Sequence, residues 1–190
     1  MSQIISLTLK KIKASSIPRD IPNISEQNAE FIKWLIREKN PNRMLEIGTA
    51  NGYSTLHFAS ILSESATITT IDYAWNMHVE AVGYFKNCKL KNIHAIWGNA
   101  KAVIPTLADG YFDFIYVDAM KKEYLEYFIL LLPKMTRNAI VVIDDVIKFK
   151  EKMQDFYDYL EKNNIKYRID LTDPDDGIMI IEWKYLFIWD

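Results

Sequence analysis

The acidic side chains that could carry chemistry in this sequence stand where apolar, β-branched runs end. These acids are Glu46, Asp72, Asp118, Asp144 and Asp145. If the runs are parallel strands, their carboxyl ends meet at one edge of a sheet, and ligands of open α/β sheets bind outside that edge. We therefore expect these acids to surround one ligand site.

Three of the acids have the chemistry of a metal site. Asp118 closes the fourth predicted strand, and Asp144 and Asp145 close the fifth. Their carboxylates could converge on one hard cation with oxygen ligands, for which Mg²⁺ is the leading candidate. The alternative is three solvated strand-end acids. Asp72, at the end of the second strand, either binds the hydroxyls of a ribose or caps the helix that begins after Ala74.

A glycine turn follows the first strand. Gly48 and Gly52 come after the apolar run 44–47, and glycine lets backbone N–H groups approach a polar ligand closely. The dinucleotide fingerprint would need a glycine at Ala50, so the turn disfavours a pyrophosphate and a nicotinamide-dependent oxidoreductase. Glu46, just before the turn, suits an amine-bearing ligand, unless it caps its own loop.

Strands and helices alternate along the chain and would position these acids. Apolar strands between helices indicate a parallel sheet covered on both faces. The last two strands are separated by only a short turn and must pair as a hairpin. We therefore predict an α/β fold, a doubly wound, mostly parallel seven-stranded sheet that ends in an antiparallel hairpin. The predicted strands are 44–47, 67–72, 93–98, 112–118, 139–145, 167–172 and 178–184, and the predicted helices are 26–39, 53–62, 75–88, 100–107, 122–135 and 149–160.

The two ends of the chain are less regular. Residues 4–12 fit a strand, because Ile5, Leu7 and Leu9 alternate, and also fit a helix, because Ile5, Leu9 and Ile12 share one helical face. This choice stays open. The apolar tail 185–189 is expected to pack against the domain or a second subunit, since exposed apolar patches of that size are uncommon.

Composition limits the class of protein. The 190 residues fit one domain. The chain has 23 basic and 25 acidic residues, so it lacks the net positive charge that would attract nucleic acid. One cysteine, Cys88, excludes an internal disulfide. The first residues lack the pattern of a signal peptide, and no apolar run is long enough to span a membrane. These features predict a cytoplasmic protein.

Three motifs together resemble a known family, the metal-dependent O-methyltransferases that use S-adenosylmethionine and include catechol and caffeoyl-coenzyme A O-methyltransferases. The motifs are LEIGTANGYS at 45–54, FDFIYVDAMKKEY at 112–124 and IVVIDD at 140–145, followed by Asp-Gly at 176–177. The resemblance covers residues 21–184. It implies a Rossmann-like methyltransferase fold in one domain, 1–190, with residues 1–24 as an N-terminal extension, and it leaves a homodimer open.

The resemblance also implies roles for individual residues. Lys121 would be the catalytic base, with a pKa lowered by a nearby cation, and Tyr124 is the aromatic residue of the same motif. Asp118, Asp144 and Asp145 would bind a divalent metal, Mg²⁺. The residues implied in cofactor binding are Ile24, Glu46, Gly48, Ala50, Ser54, Asp72, Tyr73, Asn99, Ala100, Lys101 and Asp118.

Two features depart from the family pattern. Asp145 stands where the family usually has Asn, which adds a negative charge to the implied metal site. The segment 146–149 is shorter than in many relatives, in which it helps to wall the acceptor pocket. An open acceptor pocket is therefore expected.

Several functions remain compatible with these residues. The principal interpretation is methyl transfer to a hydroxyl of a catechol- or phenol-like small molecule. A methyltransferase for hydroxylated tRNA bases is the first alternative, because Lys148, Lys150 and Lys152 could contact phosphates. A non-catalytic protein that binds S-adenosylmethionine is the second, although Lys121 beside its acids argues for catalysis. The sequence does not identify the acceptor.

Overall fold

Seven strands form one sheet in the computed structural model, which describes residues 3–185. The order is β3-β2-β1-β4-β5-β7-β6, and every pair is parallel except those that β7 makes with β5 and β6. This arrangement confirms the predicted fold class and the closing hairpin. The strands are β1 (Arg43–Ile47), β2 (Thr67–Asp72), β3 (Ile93–Trp97), β4 (Phe112–Val117), β5 (Met135–Ile143), β6 (Arg168–Asp170) and β7 (Ile178–Glu182).

Prolines shorten two of the predicted helices. Pro105 and Pro133 have no N–H group to donate, and each lies in a 3-10 turn that follows a short helix. The helix predicted at 100–107 is consequently one turn long, and the helix predicted at 122–135 covers eight residues. The helices are α1 (Gln3–Ser16), α2 (Glu26–Lys39), α3 (Tyr53–Ala59), α4 (Trp75–Asn87), α5 (Ala100–Val103), α6 (Tyr124–Leu131) and α7 (Gln154–Lys162).

The two faces of the sheet are both buried, as expected for parallel strands that read as continuous apolar runs. Successive residues of β1 point to opposite faces: Leu45 and Ile47 pack with α6 and α7, whereas Met44 packs with α1, α2 and α3. The sheet is thus the middle of three layers, and its carboxyl edge lies between the two helical layers.

The segment that the sequence left open is helical. Ile5, Leu9 and Ile12 are buried in the core, while Leu7 is 59% exposed. The burial therefore follows the helical pattern of the sequence and not the alternating pattern of a strand. Residues before position 25 therefore contribute to the core. Arg19 also forms a bidentate ion pair with Glu80 on α4, in which its guanidinium group donates hydrogen bonds of 2.9 and 2.7 Å.

The chain reverses its direction of winding between β1 and β4. From β1 the strands proceed to β2 and β3 on one side, and β4 and β5 extend the sheet on the other. Such a switch point opens a crevice at the carboxyl ends, where ligands of this architecture bind. The crevice here lies between the ends of β1 and β4, at Gly48 and Asp118.

The predicted packing of the apolar tail concerns residues that lie outside the described part of the chain, apart from the backbone of Tyr185. No helix between Gln3 and Tyr185 has both the length and the apolar character needed to cross a membrane.

Candidate active site

The glycine turn brings the ends of β1 and β4 into direct contact. Gly48 has a φ of +102°, and a Cβ atom at this position would lie 1.9 Å from the carbonyl oxygen of Asp118. The Gly48 N–H donates to the Ile71 carbonyl on β2 (2.9 Å). Only glycine fits this conformation and this spacing. The bottom of the crevice is consequently formed by backbone atoms that no side chain covers.

Asp72 fixes the next part of the turn. Its carboxylate accepts hydrogen bonds from the N–H groups of Ala50 (2.7 Å) and Ala74 (2.8 Å). Ala50 has a φ of +43°, which is unusual for a residue with a Cβ atom. Asp72 thus stabilises both the turn and the start of α4, and it also lines the crevice. The two sequence interpretations of Asp72 are compatible.

One part of the crevice contains several of the residues expected to bind the cofactor. It is a cavity of about 430 Å³ between the ends of β1, β2 and β4. Tyr73, Asn99 and Ala100, three of the expected cofactor residues, line it. Lys101 is not among the lining residues, because its ammonium group pairs with Glu123 (2.8 Å) and Glu126 (3.1 Å) on the α6 side.

Sequence reasoning missed two polar residues of this cavity. Glu123 and Tyr127 both line it, and the Tyr127 hydroxyl donates to the Glu123 carboxylate. Their spacing of four residues puts them on one face at the start of α6. A glutamate and a tyrosine at this spacing, shortly after Asp118, were the sequence signal from which these two residues could have been predicted.

Glu46 differs from the expectation of a ligand-facing acid. It is fully buried, and its carboxylate accepts hydrogen bonds from the hydroxyl groups of Ser54, Thr55 and Thr70. Burial raises the pKa of Glu46 to about 7, although these hydrogen bonds oppose the shift. Glu46 does not line this cavity, and its partner Ser54 lines the one that adjoins it at Gly48 and Ala50. Its first effect is therefore to hold α3 against β1 and β2.

A second cavity of about 350 Å³ continues the first toward the other side of the sheet. The two cavities share Gly48, Ala50, Asp118 and Ala119 as lining residues. Among the expected site residues, the second cavity is also lined by Ile24, Ser54, Lys121, Asp144 and Asp145. The structure thus brings the predicted lysine and all three predicted metal acids to one place.

Lys121 is the central cation of the second cavity. Its ammonium group lies 2.6 Å from Asp118 Oδ1 and 2.8 Å from Asp145 Oδ2. It also donates to the Tyr124 hydroxyl at 2.8 Å. A 3-10 turn, Lys121–Glu123, orients the side chain, and α6 follows directly. The lysine, the aromatic residue and one acid of the motif are therefore in mutual contact.

The Lys121 pKa is raised in this arrangement, whereas the predicted lowering requires a cation beside the lysine. Burial alone would lower the pKa, but the negative charges of Asp118 and Asp145 outweigh burial and hold the pKa of Lys121 well above its ordinary value. In the structure the ammonium group of Lys121 itself lies between the two carboxylates. As arranged, Lys121 carries a proton at neutral pH.

Asp144 is held by a different set of groups. Its carboxylate accepts hydrogen bonds from Tyr116 (2.7 Å), from Asn28 (3.2 Å) and from the N–H of Asp145 (2.9 Å). Burial, together with the neighbouring charge of Asp118, raises the pKa of Asp144 to about 8. Tyr116 and Asn28 were not expected at the site, since they come from a strand interior and from α2.

The carboxylates fit a divalent cation by their chemistry. Oxygen donors are the ligands of Mg²⁺, and oxygens of Asp118 and Asp145 already converge on one cationic atom, Lys121 Nζ. Within residues 3–185, however, no three His, Cys, Asp or Glu side chains are grouped closely enough to hold a metal ion. A metal would therefore have to displace the ammonium group and draw Asp144 toward it.

The outer wall of the second cavity was only partly foreseen. Phe149, Lys148 and Lys152 come from the short segment after Asp145, and Asp176 comes from the turn before β7. Lys148 pairs with Asp176 at 3.1 Å. Two of the three lysines that the sequence offered as phosphate contacts beside an open pocket, Lys148 and Lys152, line the second cavity.

Comparison with protein families gives one clear match. The family model described as O-methyltransferase matches residues 2–172, which is most of the chain. The chain is 30% identical over 138 residues to a catechol O-methyltransferase of Mycobacterium tuberculosis, a span of 71% of this chain and 63% of that protein. It is 27% identical over 165 residues to a flavonoid 3′,5′-methyltransferase of Vitis vinifera, a span of 78% and 70%. The alignment thus covers less than two thirds of the mycobacterial protein.

Solved structures agree in fold. A methyltransferase of Podospora anserina with bound S-adenosylhomocysteine (SAH) superposes with a TM-score of 0.85 over 96% of this chain and 88% of that chain, at 22% identity. An O-methyltransferase of Bacillus cereus in complex with SAH gives 0.79 over 92% and 90%, at 21% identity. At these identities the likeness concerns the fold. The family match over residues 2–172 shows that this chain belongs to the O-methyltransferase family.

Proposed function

We propose that this chain is an S-adenosylmethionine-dependent O-methyltransferase that methylates a hydroxyl group of a catechol- or phenol-like small molecule. The observation that carries the proposal is the continuity of the two cavities at Gly48, Ala50, Asp118 and Ala119. One cavity offers the groups that a nucleoside needs, and the other offers a lysine with acids beside a place for a hydroxyl. The names of the catechol and flavonoid methyltransferase relatives support this class of acceptor.

The first cavity would hold the nucleoside part of the cofactor. Asp72 would accept hydrogen bonds from the ribose hydroxyls, and Tyr73, Asn99 and Ala100 would surround the adenine. Glu123 would close the outer end, with Lys101 and Tyr127 holding its carboxylate in place. A carboxylate can accept a hydrogen bond from the exocyclic amine of adenine.

The methionine part would lie where the two cavities meet. Gly48 and Ala50 offer backbone there, Ile24 covers the opening from the α2 side, and Ser54 presents a hydroxyl group that Glu46 orients. S-adenosylmethionine supplies, when bound, a methyl group on a sulfonium sulfur, and the reaction breaks that S–C bond as the acceptor oxygen forms a new O–C bond. This part of the crevice is the place at which the two reactants would be aligned.

Lys121 would act on the acceptor hydroxyl. As an ammonium group it would stabilise the oxyanion that remains after the acceptor hydroxyl has given its proton to solvent water. If another cation took over Asp118 and Asp145, the amine of Lys121 could accept that proton itself, the role that the motif implies. The Tyr124 hydroxyl, 2.8 Å from Nζ, keeps the lysine directed into the cavity in either case.

A divalent cation, Mg²⁺, is part of the proposal. Asp118, Asp144 and Asp145 would hold it in place of the Lys121 ammonium group. When bound, it would act as a Lewis acid that lowers the pKa of the acceptor hydroxyl. Binding of Mg²⁺ alone is measurable by calorimetry, separately from turnover.

Transfer of a labelled methyl group tests the proposal directly. The purified protein should bind S-adenosylmethionine and SAH in calorimetry, should not bind NAD, and should transfer label to catechol. Chelation should abolish the transfer, and Mg²⁺ should restore it. Cofactor binding without label transfer to any phenol or catechol would favour the non-catalytic alternative. Label found in tRNA, with a salt-dependent affinity for tRNA, would favour the RNA alternative.

A further inference from the structure

Phe149 is surrounded by three ammonium groups at the mouth of the second cavity. Lys121, Lys148 and Lys152 have their Nζ atoms 5.8, 5.6 and 4.6 Å from the centroid of its ring. The ring is partly buried, and all four residues line the cavity. An aromatic face attracts cations through its negative quadrupole, so this ring gathers positive charge on the acceptor side.

The three ammonium groups differ in how their charge is compensated. Lys121 is paired with Asp118 and Asp145, and Lys148 is paired with Asp176. Within residues 3–185, Lys152 forms no ion pair, and its interaction is the one with the Phe149 ring. Lys152 is therefore a cation at the rim of the acceptor cavity, and no carboxylate of the described residues balances its charge.

Lys150 provides a contrast in the same segment. Its ammonium group lies over the ring of Tyr157, at 5.1 Å, and it does not line the acceptor cavity. It likewise forms no ion pair with the described residues. Two lysines of equal charge, two residues apart, thus differ in whether they face the cavity, and only Lys152 could meet a bound acceptor.

We propose that the methyl acceptor is an anionic aromatic compound with vicinal hydroxyls, whose carboxylate is bound by Lys152 while its ring lies against Phe149 and a hydroxyl reaches Lys121. This inference rests on the proposed function. Both ammonium groups lie within 6 Å of the centre of one ring, so a molecule with a single aromatic ring can reach both. Among the acids of the cavity, Asp118 and Asp145 are paired with Lys121, and Asp176 is paired with Lys148. Asp144 instead accepts hydrogen bonds from Tyr116 and Asn28. These contacts limit the repulsion between the acids and the carboxylate.

Two matched acceptors and two matched variants test this inference. Catechol and 3,4-dihydroxybenzoate differ by one carboxylate, and Lys152→Gln and Lys150→Gln each remove one positive charge. In the Lys152→Gln protein, the KM for 3,4-dihydroxybenzoate relative to that for catechol should rise about 10-fold, the scale of losing a hydrogen-bonded charge pair. The same ratio should not change in the Lys150→Gln protein.

Equilibrium binding gives a readout that does not depend on turnover. Calorimetry of the SAH-saturated protein should show the same 10-fold loss of affinity for 3,4-dihydroxybenzoate in Lys152→Gln alone. If neither acceptor is methylated but the acid binds through Lys152, the proposed function fails and the anion site stands. An unchanged ratio in Lys152→Gln overturns the anion site. Equal losses in Lys152→Gln and Lys150→Gln also overturn it, because they indicate a diffuse basic surface such as an RNA contact would use.

Discussion

The two halves of the crevice are built by different means. The proposed cofactor half is set by backbone: Gly48 admits the approach of the Asp118 carbonyl, and Asp72 holds the N–H groups of Ala50 and Ala74. The proposed acceptor half is set by side-chain charge: Lys121 lies between Asp118 and Asp145. The backbone geometry of the proposed cofactor half tolerates few substitutions at its glycines. The charged side chains of the proposed acceptor half can rearrange when another ion binds among them.

The largest expected effect tests the backbone half. In Gly48→Ala the new Cβ would lie 1.9 Å from the Asp118 carbonyl oxygen at a φ of +102°, so we expect the protein to lose more than about 3 kcal/mol of unfolding free energy. SAH binding should be lost with it. Urea unfolding and calorimetry measure both. Gly83→Ala is the control, because no atom lies within 4 Å of its Cβ position and alanine is the better helix former. Wild-type stability and SAH affinity in Gly48→Ala would contradict the backbone account.

The next effect tests the charged half. Lys121→Met should lower kcat about 10²–10⁴-fold, the usual contribution of a positioned proton acceptor, and should leave SAH affinity nearly unchanged because Lys121 lines only the acceptor cavity. Lys121→Arg separates the two proposed roles, since arginine keeps the charge but does not accept a proton. Activity retained in the arginine variant would assign Lys121 to charge stabilisation. Undiminished turnover in the methionine variant would remove it from the mechanism.

Glu46, buried between the two halves, allows a test by pH. Its folded pKa of about 7 lies above its ordinary value of 4.5, so the folded protein holds this proton more tightly than the unfolded chain. The resulting stability is present below pH 4.5 and is lost as the pH rises to 7, by up to about 3 kcal/mol. Glu46→Gln keeps an acceptor for the hydroxyls but does not titrate. The difference in unfolding free energy between the two proteins should change by that amount between pH 4.5 and 7, and a constant difference would show that Glu46 titrates normally.

A smaller effect measures the part of Asp72 in cofactor binding. Asp72→Ala should weaken SAH binding by about 1–3 kcal/mol, the scale of a lost buried acceptor. Asp113→Ala is the matched control, because Asp113 also accepts from two backbone N–H groups, those of Asn42 (2.9 Å) and Arg43 (3.0 Å), at the opposite edge of the sheet. Equal SAH affinities in the two variants would mean that Asp72 only stabilises the turn.

The smallest effect concerns the departure at Asp145. Its φ of +62° lies in the left-handed region, which asparagine also tolerates, so Asp145→Asn should fold with a loss of stability below about 1 kcal/mol. Methyl transfer should survive, and Mg²⁺ affinity, measured by calorimetry, should fall with the lost charge. Loss of methyl transfer at saturating Mg²⁺ would show that the second negative charge is required by the chemistry.

Much of the fold and of the site could be predicted from residue order. The hydrophobic runs gave the strands and the helices between them, because strands buried on both faces are continuously apolar. The ends of those runs then gave the acids of the crevice, since parallel strands end at one edge. Boundaries were less accurate: 3-10 turns at Pro105 and Pro133 shorten two helices, and Asp144 and Asp145 follow β5 instead of closing it.

The sequence by itself determined most of the residues that meet at the crevice, whereas the tertiary structure decided what each of them contacts there. Lys121 was placed correctly, yet the sign of its pKa shift depends on two carboxylates within 3 Å, one of which lies 24 positions further along the chain. Glu46 was placed at the strand end, yet three hydroxyl groups close it off from the cavity. Burial and charge act over a few ångströms in space, and spacing along the chain does not report those distances.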